Sequence, residues 1–239
     1  MMIDGREQYI SSFGQTVKGI LPQGVIDSDL LRKACTYFSN HGIRGIYSLL
    51  GDIRLSPLTL EESFFGSHEL DVARCNFESS VGPEDRFFKT RSGIFEDTEG
   101  ALLRANPNFV AKIQEYIKQA KQNVVTEPWV CGANKDEIRS MEKLNLMQVR
   151  LFYTVDLYTN TAARMYLMPI INLMLRHPEL FHCYGKMNSG SEEWETLFKK
   201  LSHLGRLLEL DFKNFDISHC ARIIREVAFF FYRLAFVWY

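Results

Sequence analysis

The chain has 239 residues, 46% of them hydrophobic and 13% aromatic, with 28 Lys and Arg against 29 Asp and Glu for a net charge of −1. A chain of that length can bury a full core as one large domain or two small ones, and this composition is not a disordered one. The near-zero charge gives no support for a polybasic nucleic-acid-binding or membrane-surface protein.

The opening stretch through about Gln23 is mixed and turn-rich. Met1 to Ile10 carries Asp4, Arg6 and Glu7 and no apolar run, so it does not read as a signal peptide. Ser28 is placed to cap a helix from Asp29 to about Ser39, which Asn40-His41-Gly42 should end. Leu58 to Phe65 predicts a short helix, and Glu69 to Glu96 reads as loop with short strands. A helix follows from about Asp97 to Gln122, broken near Asn106-Pro107, and Val124 to Gly132 reads as a strand.

From Asp156 to Leu180 apolar residues cover nearly all helical faces, which predicts a buried helix kinked at Pro169. Ser191 should cap a helix to about His203. Leu207 to Phe212 is short and apolar, as a buried strand would be, and Ser218 to Tyr239 predicts a last amphipathic helix. The longest apolar run, Val227 to Tyr239, has 13 residues and contains Arg233, whereas a bilayer span needs about 20. The five cysteines, Cys35, Cys75, Cys131, Cys183 and Cys220, include no C-x-x-C pair and read as reduced thiols. The expectation is a soluble, cytosolic chain.

Two segments carry candidate chemistry. In the first, Lys135, Arg139, Lys143 and Arg150 alternate with Asp136, Glu137 and Glu142. Taken alone this is a solvated, salt-bridged surface; its functional reading is a set of cations aimed at a triphosphate, with carboxylates holding them. In the second, Asp211 ends the expected strand and Asp216 follows a turn, so two carboxylates can face one cleft. Carboxylates there are hard-oxygen ligands for Mg²⁺, although this spacing is more often a capping and turn device.

The ordered set says more than either segment. Lys135-Asp136-Glu137-Ile138-Arg139, then Lys143 and Arg150, Arg164-Met165, Gly185-Lys186-Met187-Asn188 with Trp194, and Asp211 to Asp216 resembles the RNA-dependent RNA polymerases of picornaviruses and related picorna-like viruses. Upstream, Ser79-Ser80-Val81-Gly82-Pro83 resembles the family's element at the template entrance, one residue short before the Pro. Gln148 departs from the family, which commonly has a second Lys there, and Phe152 to Thr161 is not close to its Ser-rich version.

The resemblance implies a helix-rich α+β fold of the right-hand polymerase type, with fingers over 1–165 and the beginning of the palm, its first strand and helix, over 166–239. It implies that Lys135, Arg139, Lys143 and Arg150 bind nucleotide phosphates. Asp211 would be the catalytic, metal-binding aspartate, Asp216 would sense the ribose, and Ser80 and Gly82 would guide template. It further implies Mg²⁺ or Mn²⁺, RNA template and primer, nucleoside triphosphates, a protein primer and other viral replication proteins, and a membrane-associated replication complex in host cytoplasm.

The 23 residues after Asp216 hold no Gly-Asp-Asp, and the lone Gly-Asp pair, Gly51-Asp52, lies out of order. Two-metal catalysis takes carboxylates from two elements. The expectation is therefore a chain cut off before the catalytic hairpin and thumb, with half a metal site and no activity alone. A non-catalytic RNA-binding or interaction module derived from such a polymerase is the alternative. An unrelated helical protein is a third reading. A reverse transcriptase is disfavoured, because a DNA-making palm usually places a bulky aromatic where Asp216 stands.

Overall fold

The computed structural model describes residues 2–3, 6–7, 27–51, 55–82, 90–96, 104–124, 126–146, 149–188, 190–209, 211 and 221–239. Two compact units divide the chain: 1–21 with 57–168, and 22–56 with 169–239. The long stretch before residue 57 therefore belongs with the C-terminal residues.

The first unit contains β1 (Met2–Ile3) paired antiparallel with β2 (Arg6–Glu7), the short helix α2 (Leu60–Phe65) and a 3₁₀ turn (Arg91–Ile94). It continues with β3 (Phe95–Glu96) paired antiparallel with β4 (Arg104–Ala105), then α3 (Pro107–Lys121). Thr59 starts α2 with a reciprocal cap: its hydroxyl accepts from Glu62 N at 3.1 Å, and the Glu62 carboxylate accepts from Thr59 N at 2.8 Å. That backbone bond, foremost, holds the Glu62 carboxyl below its usual range. Pro107 opens α3 at a position whose N–H needs no helical partner, so the helix begins there rather than near Asp97.

An aromatic cluster fills this unit. The Phe64 ring meets Phe95 edge-on at 5.0 Å and Phe109 at 5.8 Å, and Phe109 stacks on Tyr158 at 5.5 Å. Ile94, Ile113, Val81, Cys75 and Leu157 close around it. Each fully buried large side chain of this kind is worth about 1.5–3 kcal/mol of transfer free energy.

The ribbon β5 (Val130–Asn134) and β6 (Leu151–Val155) pairs antiparallel, with α4 (Met141–Asn145) between the strands. Strand β6 is outside every expectation above, although Leu-Phe-Tyr-Thr-Val carries the aromatic and β-branched signal for a strand. Helix α5 (Leu157–Arg176) runs through Pro169 without ending, and the division between the units falls just before that proline.

In the second unit α1 (Ser28–Leu50) packs with α6 (Pro178–Phe181) and α8 (Ala221–Trp238). Ile46, Ile170, Leu173, Phe181 and Leu234 form its core. The cap of α1 is Asp27, whose carboxylate accepts from Asp29 N and Leu30 N, not Ser28.

The expected stop at Asn40-His41-Gly42 does not occur. A Cβ on Gly42 would overlap the Phe181 ring, and one on Gly45 would lie 2.6 Å from Leu180 Cδ2. These glycines let another element approach α1 closely, and that packing overrides their breaking tendency. Helix α7 (Glu193–Ser202) covers most of the expected span, but its cap position is Glu192 rather than Ser191, whose hydroxyl accepts from Glu193 N at 3.3 Å from one residue further out.

The buried strand expected over Leu207 to Phe212 is a correction: residues 206–209 form no strand, and Leu207 and Leu208 are exposed, while Leu210 and Phe212 lie outside the described residues. An apolar run becomes a buried strand only where a partner strand covers it, and none does among the described residues. Among the described residues no helix is long and apolar enough to cross a membrane.

Candidate functional site

The β5–β6 ribbon has a fixed register from Val130 opposite Val155 to Asn134 opposite Leu151. One further backbone bond, from Lys135 N to Arg150 O at 2.8 Å, extends the pairing. Lys135 and Arg150, 15 positions apart in sequence, therefore stand opposite each other at the ribbon's end.

Between them the chain turns back and aims the Glu137 carboxylate at three cations. Arg139 donates to Glu137 Oε1 through Nε at 2.7 Å and through a second, closer guanidinium nitrogen. Arg150 lies 3.5 Å and Lys135 3.7 Å from Glu137 Oε2. The Glu137 and Arg139 side chains are 20% and 19% exposed, whereas Arg150 is 64% exposed.

Loss of hydration at Glu137 would raise its pKa. The hydrogen bond and charge of Arg139, with the charges of Arg150 and Lys135, outweigh that effect and hold the carboxyl below its usual range. Three cations around one carboxylate leave positive charge in excess, on donors suited to phosphate oxygens. Lys143 is exposed on α4 and makes no ion pair among the described residues.

The loop bearing Ser80 and Gly82 meets the far end of β6. Ser80 bridges to Thr90, and its hydroxyl accepts from Gly82 N at 3.2 Å. Gly82 has φ +92, and a Cβ there would lie 2.9 Å from Val155 O and 3.3 Å from Asp156 Cα. The absence of a side chain at Gly82 thus lets its backbone lie close against the chain's own β6–α5 junction.

Asp156 at this junction and Arg164, two turns into α5, carry more than their residue types indicate. Asp156 is buried; its carboxylate accepts from Thr159 N and Thr159 Oγ1, both at 2.8 Å, and its own N–H donates to Trp129 O at 3.1 Å. It caps α5 and ties down the ribbon's base together. The signal was an Asp three residues before a Thr at the head of an apolar helix. Arg164, among the residues of the resemblance, donates to Ser63 O at 2.7 Å and Ala73 O at 2.9 Å, which ties α5 to the α2 region.

Asp211 is exposed, and Asp216 lies outside the described residues. No group of three metal-binding side chains occurs among the described residues. Asp211 supplies one hard-oxygen donor, which by itself does not make up a divalent-cation site.

A family model described as viral RNA-dependent RNA polymerase matches residues 80–236, well over half of the chain. The genome polyprotein of human hepatitis A virus genotype IB (isolate MBB) is 28% identical over 199 residues, which cover 81% of this chain and 9% of that protein. That of genotype IIIB (isolate HAJ85-1) is 25% identical over 206 residues, covering 84% and 9%. Among solved structures, Sicinivirus 3Dpol RNA dependent RNA polymerase matches with a TM-score of 0.56 at 15% identity, covering 76% of this chain and 35% of that one. The chain spans about a tenth of the curated polyproteins it matches and about a third of the solved polymerase.

Proposed function

Since the chain belongs to the viral RNA-dependent RNA polymerase family, we propose that it serves RNA-templated synthesis of RNA. In that reaction the 3′-hydroxyl oxygen of the growing strand attacks the α-phosphorus of a nucleoside triphosphate, and pyrophosphate leaves. The region 1–165 acts as fingers and 166–239 as the beginning of the palm. The observation that carries this reading is the convergence of Lys135, Arg139 and Arg150 on Glu137 at the ribbon's end.

The excess positive charge there receives the triphosphate, with Lys143 as a further phosphate contact on α4. Ser80 and Gly82 guide template from the loop seated on the β6–α5 junction. Asp211 and Asp216 are the residues we propose for Mg²⁺ or Mn²⁺, with Asp216 also sensing the ribose. Template, primer, triphosphates, a protein primer and other viral replication proteins are the proposed partners, in a membrane-associated replication complex of the host cytoplasm. The second set of carboxylates that two-metal chemistry takes has no counterpart in residues 217–239, so the isolated chain should not incorporate nucleotide.

The test is a titration of the chain with a fluorescent nucleoside triphosphate. Hydrogen bonds to charged groups are worth about 1.5–3 kcal/mol, so Arg139→Glu should weaken binding by about tenfold or more. Arg150→Glu should act likewise, and Lys135→Glu less. Unchanged affinity in all three would sink the assignment. RNA binding with a steep salt dependence that ignores these substitutions would favour the non-catalytic module.

A further inference from the structure

We propose that the cavity between α6 and α7, wholly inside the second unit, is a binding site for a small apolar amine. Its volume is about 440 Å³, within the range of about 300–1,000 Å³ usual for small-molecule sites. Half-buried Leu175, Cys183, Tyr184, Met187 and Leu197 make the walls, and exposed charged side chains make the rim. An apolar lining with a few polar groups at its edge is the common design of such sites.

The rim charges decide the ligand's sign. Glu179 is paired with Lys200 at 3.7 Å. The Glu193 carboxylate accepts from Asn188 N and from Ser191 Oγ, each at 3.1 Å. Lys186 is engaged as well. The Glu192 carboxylate alone among these has neither hydrogen bond nor ion pair among the described residues. A carboxylate at the start of α7 is favoured by the helix dipole, but that position leaves its oxygens open to a ligand cation. The cavity therefore takes an apolar, preferably aromatic, body carrying one ammonium group directed at Glu192. The outer ion pair, between two well-exposed side chains, is weak enough to part for a ligand.

The test uses naphthylethylamine and its neutral counterpart naphthylethanol as probes on the 239-residue chain, with binding followed by calorimetry. The amine should bind saturably and more tightly than the alcohol. Glu192→Gln should weaken the amine by about twofold to fivefold, the worth of one exposed ion pair, and leave the alcohol unchanged. Bound amine should slow alkylation of Cys183 by iodoacetamide and spare the exposed Cys131. Leu197→Trp, which fills the cavity, should abolish binding of both probes. Should that variant fail to fold, the Glu192→Gln comparison and the Cys183 protection decide the matter. Equal affinities for amine and alcohol, or Cys183 alkylation that saturating amine does not slow, would overturn the proposal.

Discussion

The first unit holds two regions built on different physics. The cluster around Phe64, Phe95, Phe109 and Tyr158 is shut from solvent and fixed by ring against ring. The β5–β6 ribbon, a few residues upstream of Tyr158, is exposed along all of β5 and bears a fully exposed Ile138 beyond it. A two-stranded ribbon is marginal by itself in water. Its order rests on a five-pair register, on Asp156 at the base and on the Glu137 ion cluster at the tip. The difference shows where binding chemistry can reside. The cations proposed to receive phosphate must stay hydrated and reachable, so they fit the less stable element, with the dry core aiming that element.

Stability measurements should separate the regions most sharply. Phe109→Ala, at a wholly buried position, should cost about 3–5 kcal/mol in urea denaturation. Ile138→Ala at the tip should change stability by no more than about 0.5 kcal/mol. Similar midpoints for the two variants would mean that the ribbon is packed against something and would break the contrast.

The next effect joins the two regions. Gly82→Ala forces a side chain into a left-handed backbone and against Val155 O and Asp156. It should cost about 1–3 kcal/mol, with hydrogen exchange rising at the β6–α5 junction before it rises in the core. Wild-type stability in that variant would show the junction to be pliant.

The smallest effect on stability, and the most specific for the site, concerns Glu137. Its folded pKa lies below the ordinary carboxylate value, so its contribution is fully present above the unfolded value of about 4.3 and is lost as pH falls through the lowered one. NMR of the Arg139 side-chain protons on acidification from neutral pH should show the cluster surviving the range where ordinary carboxylates protonate. Glu137→Gln should remove that survival and raise exchange at the ribbon tip, with the core signals unmoved. Loss of the Arg139 signals at the same pH in both proteins would show that the cluster does not hold the tip.

Much of the site was legible in the chain, and the reasons are local. Charge alternation from Lys135 to Arg150 singled out the cations, and the ordered motifs pointed to the family that the comparison shows over residues 80–236. The helices with one apolar face or an apolar interior, α3, α5, α7 and α8, were visible by periodicity. Gly42 and Gly45 misled because a glycine reads as a breaker unless the ring or side chain it admits is known. Leu207 and Leu208 misled because hydrophobicity records a preference for burial and does not supply the surface that would bury them.

By itself, then, the sequence determined which residue types stand at which spacings: cations at the ribbon, a proline opening α3, an aspartate and threonine heading α5. Those are properties of neighbours along the chain. Only the tertiary structure decided that Lys135 faces Arg150 across a strand pair, that one carboxylate gathers three cations, and that Gly82 seats its loop on the β6–α5 junction. Lys135 and Arg139 are near neighbours of Glu137, but the facing of Lys135 and Arg150, the arrival of Arg150 at Glu137 and the seat of Gly82 join residues far apart in sequence, set by strand register and close packing, which no local pattern of side chains specifies.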